Sequence, residues 1–302
     1  MRWGKGTLKQ RIADRDFLIC SCVMDSHSGA VIEAYQEAGF DFVMIDREHT
    51  ALNSATILEH IRMARALGLP CVVRVADNTY AELNRTLDQM PDGIFVPRIR
   101  SRADAERIIE TVKYPPLGKR GVGASTCPAG KYMGWSSVAE MVETLNKTTV
   151  IGIQIETREA LEHLDDILSV PGIDVAVVGN DDLSTGMGIP GQFTSDTYRN
   201  AVKAVIKSCN RHGVMPGIAA ADPEVVKYWA GQGMRMFWSG ADICFLWSGA
   251  AQCCKAVRQA VEAMRAEAVE ELADPKLRQP CRKVLDRTSR RYRAISRLYA
   301  TG

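Results

Sequence analysis

The stretch that decides the fold is residues 150–161, which read VIGIQIETREAL. Its first six residues are mostly apolar and β-branched, which is typical of a strand buried on both faces. Side chains alternate between the two faces of a strand, so the three isoleucines share one face while Gln154 and Glu156 share the other. Helical spacing begins at Thr157. The stretch therefore predicts a buried strand that leads directly into a helix.

The same strand-then-helix unit recurs along the chain. The eight predicted strands are Phe17–Cys22, Phe42–Ile45, Cys71–Val75, Gly93–Val96, Val150–Ile155, Val175–Val178, Val214–Ile218 and Met234–Trp238. The predicted helices include Ala30–Ala38, Ala55–Ala66, Arg102–Val112, Thr157–Leu168, Asp196–His212, Pro223–Gln232 and Asp242–Val269. Eight strands that alternate with helices favour an α/β fold of the closed (β/α)₈ TIM barrel type over an open sheet. The sequence has neither a GxGxxG motif after the first strand nor a GxxxxGK[ST] motif, which argues against a nucleotide-binding fold.

The composition excludes several classes of protein. The 302 residues carry a formal net charge of +2, which gives no signal for nucleic-acid or membrane binding. The nine cysteines contain no CxxC pair, which argues against a secreted disulfide scaffold and against a structural zinc site. The amino terminus lacks the apolar core of a signal peptide, and no apolar run is long enough to span a membrane. We therefore expect a cytoplasmic protein with no nucleic-acid and no membrane partner.

Positive charge is concentrated at the carboxyl end of the chain. From Pro275 onward there are nine Lys and Arg residues and one acid, a local charge of +8. Apolar residues recur there at roughly helical spacing. We divide the chain into a catalytic barrel domain at 1–268 and a basic amphipathic helical tail at 269–302. The tail is interpreted as a contact between subunits, and the simpler alternative is a solvated basic helix.

Polar residues at the ends of the fifth and sixth strands point to a cation site. In a TIM barrel the functional residues lie at the carboxyl-terminal face, so Gln154 and Glu156 should point into the barrel mouth. An ionised Glu is costly there unless it is paired or bound to a cation, although Glu156 could simply begin the next helix. The sixth strand runs into Asn180, Asp181 and Asp182, and a second carboxylate beside the first would suit a hard cation. Spacing alone does not choose between the two aspartates, and either could instead cap a turn.

The second and third predicted strands carry candidates for substrate binding and proton transfer. Arg74 lies between valines, where a guanidinium without an anionic partner is expensive. A substrate carboxylate would be such a partner, and the alternative is a structural ion pair with Asp46 or Glu48. His49 follows the second strand, and two acids within its reach could orient its ring. It is therefore a candidate general base.

Five stretches resemble the HpcH/HpaI family of class II, metal-dependent pyruvate aldolases. They are AGFDFVMIDREHT, PCVVRVADN, YPPLGKRGVGAS, VIGIQIETREAL and PGIDVAVVGNDDLSTGMG, and the resemblance runs from about residue 16 to residue 264. Members of the family include 4-hydroxy-2-oxoheptanedioate and 2-dehydro-3-deoxyglucarate aldolases. The resemblance implies reversible cleavage of a 4-hydroxy-2-oxo acid to pyruvate and an aldehyde through a metal-stabilised enolate.

The resemblance also implies which residues hold the metal and the oxo acid. The glutamate and aspartate that bind the cation in such enzymes correspond to Glu156 and Asp182. The glutamine that shapes the site corresponds to Gln154. The backbone amides of Asn180 and Asp181 would receive the carboxylate of pyruvate or oxaloacetate. Two carboxylates plus substrate oxygens form a hard ligand set, so the expected metal is Mg²⁺, Mn²⁺ or Co²⁺.

For catalysis, the resemblance implies that His49 acts as the base, paired with Asp46, and that Arg74 binds the substrate. Such enzymes often exchange carboxyl-terminal helices and form hexamers, so a homo-oligomer is expected. No lysine falls at the carboxyl end of a predicted strand, which counts against a Schiff-base aldolase.

Several departures from the family pattern leave the identity of the acceptor, the molecule that reacts with the enolate, undetermined. Arg47 stands where relatives commonly have Gly or Met, and Trp238 puts a bulky ring on the last strand. With His27, which follows the first strand, these residues are candidates for the acceptor pocket. The same enolate could instead serve oxaloacetate decarboxylation, citrate-synthase-like condensation or macrophomate-synthase-like bond formation. A more remote alternative is a non-enzymatic protein that acts through its basic tail.

Overall fold

The computed structural model describes residues 7–14, 17–123 and 134–273, with side chains as far as residue 266. Eight parallel strands close into a barrel in chain order, and the last strand pairs with the first. The strands are β1 (Leu18–Val23), β2 (Phe42–Asp46), β3 (Cys71–Arg74), β4 (Gly93–Val96), β5 (Val150–Ile155), β6 (Val175–Val178), β7 (Met215–Ala219) and β8 (Met236–Ala241). The predicted TIM barrel is therefore confirmed.

Helices connect the strands around the outside of the barrel. Within the described residues they are α1 (Leu8–Ala13), α2 (Ala30–Ala38), α3 (Ser54–Leu67), α4 (Tyr80–Leu87), α5 (Arg102–Val112), α6 (Val138–Thr148), α7 (Arg158–Glu162), α8 (Leu164–Leu168), α9 (Asn180–Gly186), α10 (Asp196–His212), α11 (Pro223–Gly231) and α12 (Asp242–Ala273). Local signals fix several of their ends. Ser101 and Asp104 form a capping box at the start of α5, and Gly213 ends α10 with a left-handed backbone.

Several predicted elements differ from the structure in their bounds, and two of the differences have a clear local reason. The helix predicted over Thr157–Leu168 is two short helices, because the backbone of His163 leaves the helical region at φ −115° and ψ 22°. The last strand begins at Met236, two residues later than predicted. Met234 donates its backbone amide to Trp229 and so belongs to the turn that ends α11.

The alternation predicted for the fifth strand is confirmed by the packing of the barrel. Ile151, Ile153 and Ile155 are fully buried in the core cluster that includes residues of α5, α8 and α10. Gly152 lies on the other face, where an added Cβ would be 2.2 Å from the ring of Phe95 in the barrel interior. The isoleucines therefore face the helices, and the strand's polar residues face the barrel lumen.

Helix α1 packs its apolar residues against the barrel interior. Leu8 and Ile12 belong to the same core cluster as the lumen residues of the strands. Lys9 donates to the carboxylate of Asp174, which lies just before β6, at 2.8 Å. Because these contacts lie near the amino-terminal ends of the strands, the opposite, carboxyl-terminal face is left to carry the chemistry.

The chain divides into two compact units, with the boundary between Phe245 and Leu246. Helix α12 crosses this boundary, and it also continues through residue 268, where the sequence placed the end of the catalytic domain. The predicted tail falls largely outside the described residues, so its role in contacts between subunits stays a prediction. No helix in the described part of the chain is both long and apolar enough to cross a membrane.

Candidate active site

The carboxyl-terminal ends of β2 and β3 are joined by a buried ion pair. The register of the two strands places Asp46 directly opposite Arg74. The guanidinium donates to the carboxylate through Nε at 2.7 Å and through Nη2 at 2.8 Å, and Asp46 is fully buried. Burial lowers the pKa of Arg74, but the hydrogen bond to Asp46 and the negative charges around the guanidinium, Asp46 foremost, together outweigh burial, so the net pKa is raised. The structural ion pair left open by the sequence is thus present, and the substrate role of Arg74 stays a prediction.

The rest of the Arg74 guanidinium faces the barrel mouth. Its Nη1 lies 3.5 Å from Oε2 of Glu48, and its central carbon lies 4.9 Å from the ring centroid of Trp238. The indole Nε1 of Trp238 donates to the carbonyl of Gly240 at 2.9 Å, which fixes the ring over the arginine. The structure therefore brings the bulky ring of β8 against the predicted substrate-binding arginine.

His49 is at the mouth, but its ring contacts Glu48 more closely than Asp46. The side chain is half exposed, and its Nε2 lies 3.7 Å from Oε2 of Glu48. Asp46 accepts a hydrogen bond from the backbone amide of His49 at 3.3 Å. Asp46 therefore contacts the backbone of His49 and not its ring. The acid beside the imidazole ring is Glu48.

Glu48 occupies the centre of this polar cluster. Its side chain is only 6% exposed and lies 3.5 Å from the guanidinium groups of both Arg74 and Arg98. Its Oε2 atom is buried and has no hydrogen-bond partner among the described residues. A buried carboxylate oxygen normally has such a partner, so this atom is available to water or to a bound group.

Glu156 follows β5 and is held by two donors. Its Oε1 accepts the backbone amide of Arg98 at 2.6 Å, and its Oε2 accepts Nε2 of Gln154 at 2.5 Å. Arg98 has a left-handed backbone at φ 61°, which is uncommon for a residue with a side chain and recurs at functional sites. The predicted inward orientation of Gln154 and Glu156 is therefore what the structure shows.

Gly179 leaves room for the Glu156 carboxylate. A Cβ at Gly179 would lie 2.4 Å from Oε2 of Glu156 and 2.7 Å from its Cβ. Any larger residue at the end of β6 would therefore displace the carboxylate. A glycine here brings the backbone of the β6–α9 turn close to the acid on the neighbouring strand.

The electrostatics at this point favour a bound cation. Burial raises the pKa of Glu156, and the negative charges of Glu48 and Asp182 raise it further. Within the described ranges, no group of three or more His, Cys, Asp or Glu side chains is arranged to hold a metal ion. Glu156 directly follows β5 and Asp182 lies in the first turn of the helix after β6, so a cation held by these two carboxylates would need further oxygens from substrate or water. This donor set fits a hard divalent ion.

The sixth strand leads directly into α9, which carries the other predicted site residues. Asp181 and Asp182 are exposed in the first turn of this helix, and Asn180 is its first residue. The side chain of Asn180 donates to the carbonyl of Ala219 at 2.8 Å and accepts from Tyr198. The first backbone amides of a helix have no partner within the helix, which is consistent with the predicted carboxylate contact.

Two candidates for the acceptor pocket lie apart from this cluster. Arg47 places its Nε 3.0 Å from Glu82 on α4, and its Nη1 is buried without a partner among the described residues. His27 is exposed, and its Nδ1 lies 3.4 Å from the hydroxyl of Thr56 on α3. The backbone amide of Arg47 donates to the carbonyl of Arg74 at 2.9 Å. In the described part of the chain, however, neither side chain makes a hydrogen bond or ion pair to the side chain of Arg74 or Glu156. Their role in acceptor binding stays a prediction.

The sequence profile of the HpcH/HpaI aldolase/citrate lyase family matches residues 22–246, from the end of β1 through β8. The chain belongs to the HpcH/HpaI aldolase/citrate lyase family. This membership confirms the resemblance seen in the sequence and makes the chain an enzyme of the lyase class.

Relatives of this HpcH/HpaI chain agree with the assignment. The 4-hydroxy-2-oxo-heptane-1,7-dioate aldolase of Shigella sonnei is 31% identical over 196 residues, which cover 65% of this chain and 74% of the relative. A crystal structure of an HpcH/HpaI aldolase from Desulfitobacterium hafniense DCB-2 is 28% identical, with a TM-score of 0.78 over 84% of this chain and 97% of that one. Citrate synthase SbnG is also 28% identical, with a TM-score of 0.75 over 85% of this chain and 99% of that one.

Sequence reasoning missed three residues that build this HpcH/HpaI site. Arg98 follows Pro97 at the end of β4, and its position at a strand end was the available signal. Gly179 lies between the sixth strand and the two aspartates. A glycine at this position indicates that another segment of the chain approaches its backbone closely. Asp242 accepts backbone amides from the loop after β1, including Ser26 at 2.7 Å, and so holds that loop in place. Nothing local in the sequence indicated the last contact.

Proposed function

We propose that this chain is a divalent-metal-dependent aldolase that reversibly cleaves a 4-hydroxy-2-oxo acid to pyruvate and an aldehyde. The observation that supports this most is the pair of carboxylates at the ends of β5 and β6. One of them, Glu156, is buried and held by Gln154, and the charge of Asp182 acts on it. The aldolase relative at 31% identity supports the same reaction class.

Glu156 and Asp182 would hold the cation, with Mg²⁺, Mn²⁺ or Co²⁺ as the candidates that suit carboxylate oxygens. When bound, the ion supplies positive charge that stabilises a developing enolate. Gln154 fixes the carboxylate of Glu156 through the 2.5 Å hydrogen bond described above. Gly179 lets the turn that leads to Asp182 approach that carboxylate closely, which supports a shared site for the two acids.

Arg74 would bind and polarise the oxo acid. Two of its donors are committed to Asp46, which leaves Nη1 on the side of the mouth. A guanidinium held in this way adds positive charge without having to reorganise during the reaction. The backbone amides of Asn180 and Asp181 would receive the substrate carboxylate at the start of α9.

His49 would remove the proton from the 4-hydroxyl group as the bond between C3 and C4 breaks. The electron pair of that bond then becomes the enolate of pyruvate. The half-exposed ring can reach a substrate in the mouth, and Glu48 stands 3.7 Å from its Nε2. The ring can therefore act as a base directly or through one water.

Replacing His49 with Ala should impair aldol cleavage about 100-fold, the lower end of what a general base contributes. Deuterium exchange into the methyl group of pyruvate should fall much less, because that step does not use the 4-hydroxyl proton. Both rates are measured by NMR on the same enzyme preparation. His163→Ala, an exposed histidine on the outer surface, is the matched control. Equal losses in the two reactions would show that His49 is not a dedicated hydroxyl base.

The proposal as a whole is tested by chelation and by a panel of substrates. Pyruvate release is followed from several 4-hydroxy-2-oxo acids before and after treatment with EDTA. We expect the activity to disappear with chelation and to return with Mn²⁺, Mg²⁺ or Co²⁺. Full activity after thorough chelation would falsify the metal assignment. Turnover of none of the hydroxy acids would contradict the aldolase assignment itself.

A second candidate is condensation of the same enolate with a 2-oxo dicarboxylic acid. It is favoured by the similarity to citrate synthase SbnG, which spans 99% of that chain. The same assay separates the two candidates when oxaloacetate is supplied alone and with an aldehyde. Consumption of oxaloacetate with formation of a tricarboxylic acid, and no cleavage of hydroxy acids, would favour the synthase.

A further inference from the structure

The side chain of Asn180 connects the β6–α9 turn to two other elements of the barrel. Its Oδ1 accepts the hydroxyl of Tyr198 on α10 at 2.7 Å. Its Nδ2 donates to the backbone carbonyl of Ala219, at the end of β7, at 2.8 Å. An asparagine side chain has one carbonyl oxygen and one amide nitrogen, and each of them has a partner here.

Both partners of Asn180 are themselves held in place. Tyr198 is 1% exposed, and its ring centroid lies 5.4 Å from that of Phe193. Burial, with a smaller effect from the charge of Asp181, raises the pKa of Tyr198, so the hydroxyl keeps its proton and remains a donor. Next to Ala219, the amide of Ala220 donates to the carbonyl of Trp238 on β8 at 3.0 Å.

The β6–α9 turn takes its position from tertiary contacts. Helix α9 has seven residues, and its capping residue, Gly179, contributes no side-chain hydrogen bond. A helix this short is not stable by itself and takes its position from tertiary contacts. Asp182 lies in its first turn, two residues after Asn180. Leu183 is buried in the core, and the amide of Gly179 donates to the carbonyl of Ile155 at 3.2 Å. The two hydrogen bonds of Asn180 add side-chain contacts that tie the first residue of α9 to β7 and α10.

We propose that Tyr198 is a positioning residue that acts through Asn180 to hold Asp182 in the geometry needed for cation binding. The inference rests on the proposed function, since it concerns the same cation site. It adds a residue from α10, a helix that supplies none of the residues placed in the site above. It also gives a role to Asn180 that is separate from its backbone amide.

The test is the variant Tyr198→Phe, which removes one hydroxyl and keeps the ring. Tyr35→Phe is the matched control, because Tyr35 is also buried and donates its hydroxyl to a strand-end carbonyl, that of Cys22, at 2.9 Å. Three properties are measured on the full chain. They are the Mn²⁺ dissociation constant by electron paramagnetic resonance, the melting temperature, and amide hydrogen exchange of residues 179–184 by mass spectrometry.

We expect both variants to lose similar thermal stability. Only Tyr198→Phe should weaken Mn²⁺ binding, by about tenfold, the lower end of what residues supporting metal ligands contribute. Only this variant should accelerate hydrogen exchange in 179–184. Asn180→Ala should have a similar effect, and the double variant should be no worse than Asn180→Ala alone, because the two residues act as one unit.

Equal Mn²⁺ affinities in Tyr198→Phe and Tyr35→Phe would overturn the inference, and so would additive losses in the double variant. Failure of the proposed function looks different, because the unmodified chain would then show no saturable Mn²⁺ binding. In that case the hydrogen-exchange measurement still tests whether Tyr198 positions the β6–α9 turn. Unchanged exchange of 179–184 in Tyr198→Phe would show that the hydroxyl does not position the turn.

Discussion

Replacing Glu156 with Gln is expected to lower deuterium exchange into the methyl group of pyruvate by roughly 100- to 1,000-fold, the range for losing one major electrostatic contributor. The substitution keeps the size of the side chain and its ability to accept the amide of Arg98, but removes the negative charge that would hold the cation. Exchange is measured by NMR at saturating Mn²⁺. Glu162→Gln is the matched control, because that side chain is 63% exposed on α7.

The same variant should be at least as stable as the parent chain at pH 7 without metal. The pKa of Glu156 is raised in the folded state by burial, so the folded chain binds its proton more tightly than the unfolded chain. A raised carboxyl pKa gives stability at low pH that is lost as the pH rises through it. The ionised carboxylate of Glu156 therefore lowers the free energy of unfolding at pH 7, and replacement by Gln removes this destabilisation. If Glu156→Gln still catalysed rapid deuterium exchange into pyruvate, or if it were markedly less stable, the proposed role of this carboxylate in holding the cation would be contradicted.

The sequence was sufficient for the elements whose signal lies within one strand. The alternation in β5 predicted both the isoleucines that face the helices and the inward side of Gln154 and Glu156, because a strand's period of two is a local property. The bounds of α2, α5 and α10 were also predicted as found, because capping residues and helical spacing are local too.

What the sequence could not decide depends on contacts between strands. Whether Arg74 would meet a substrate or Asp46 follows from the register of β2 and β3, which is set by the closure of the whole barrel. The contact of Glu156 with the amide of Arg98 joins residues 58 positions apart. The hydrogen bond from Tyr198 to Asn180 spans 18 positions between two helices. The periodicity of a single strand or helix carries no information about contacts between residues so far apart in the sequence.

Replacing Asp46 with Asn is expected to destabilise the chain by about 3–5 kcal/mol, the cost of leaving one member of a buried ion pair without its partner. Asp46 is fully buried and takes two hydrogen bonds from Arg74. The free energy of unfolding is measured by urea denaturation. Asp41→Asn is the matched control at the other end of β2, where Asp41 pairs with Arg11 and both side chains are 19% exposed. A pair that reaches solvent should contribute about 1 kcal/mol or less.

The variant that combines Asp46→Asn with Arg74→Met separates the charge from the packing. If the loss in Asp46→Asn comes from an uncompensated guanidinium, removing that guanidinium should restore most of the stability, since a buried neutral amide costs much less than a buried charge without a partner. The double variant should nevertheless remain inactive in pyruvate exchange, because Arg74 is gone. Loss of stability that persists in the double variant would show that the packing of Arg74 against Trp238 matters more than its charge. Recovered stability without activity would mean that the chain retains a costly buried pair because it holds Arg74 where the substrate binds.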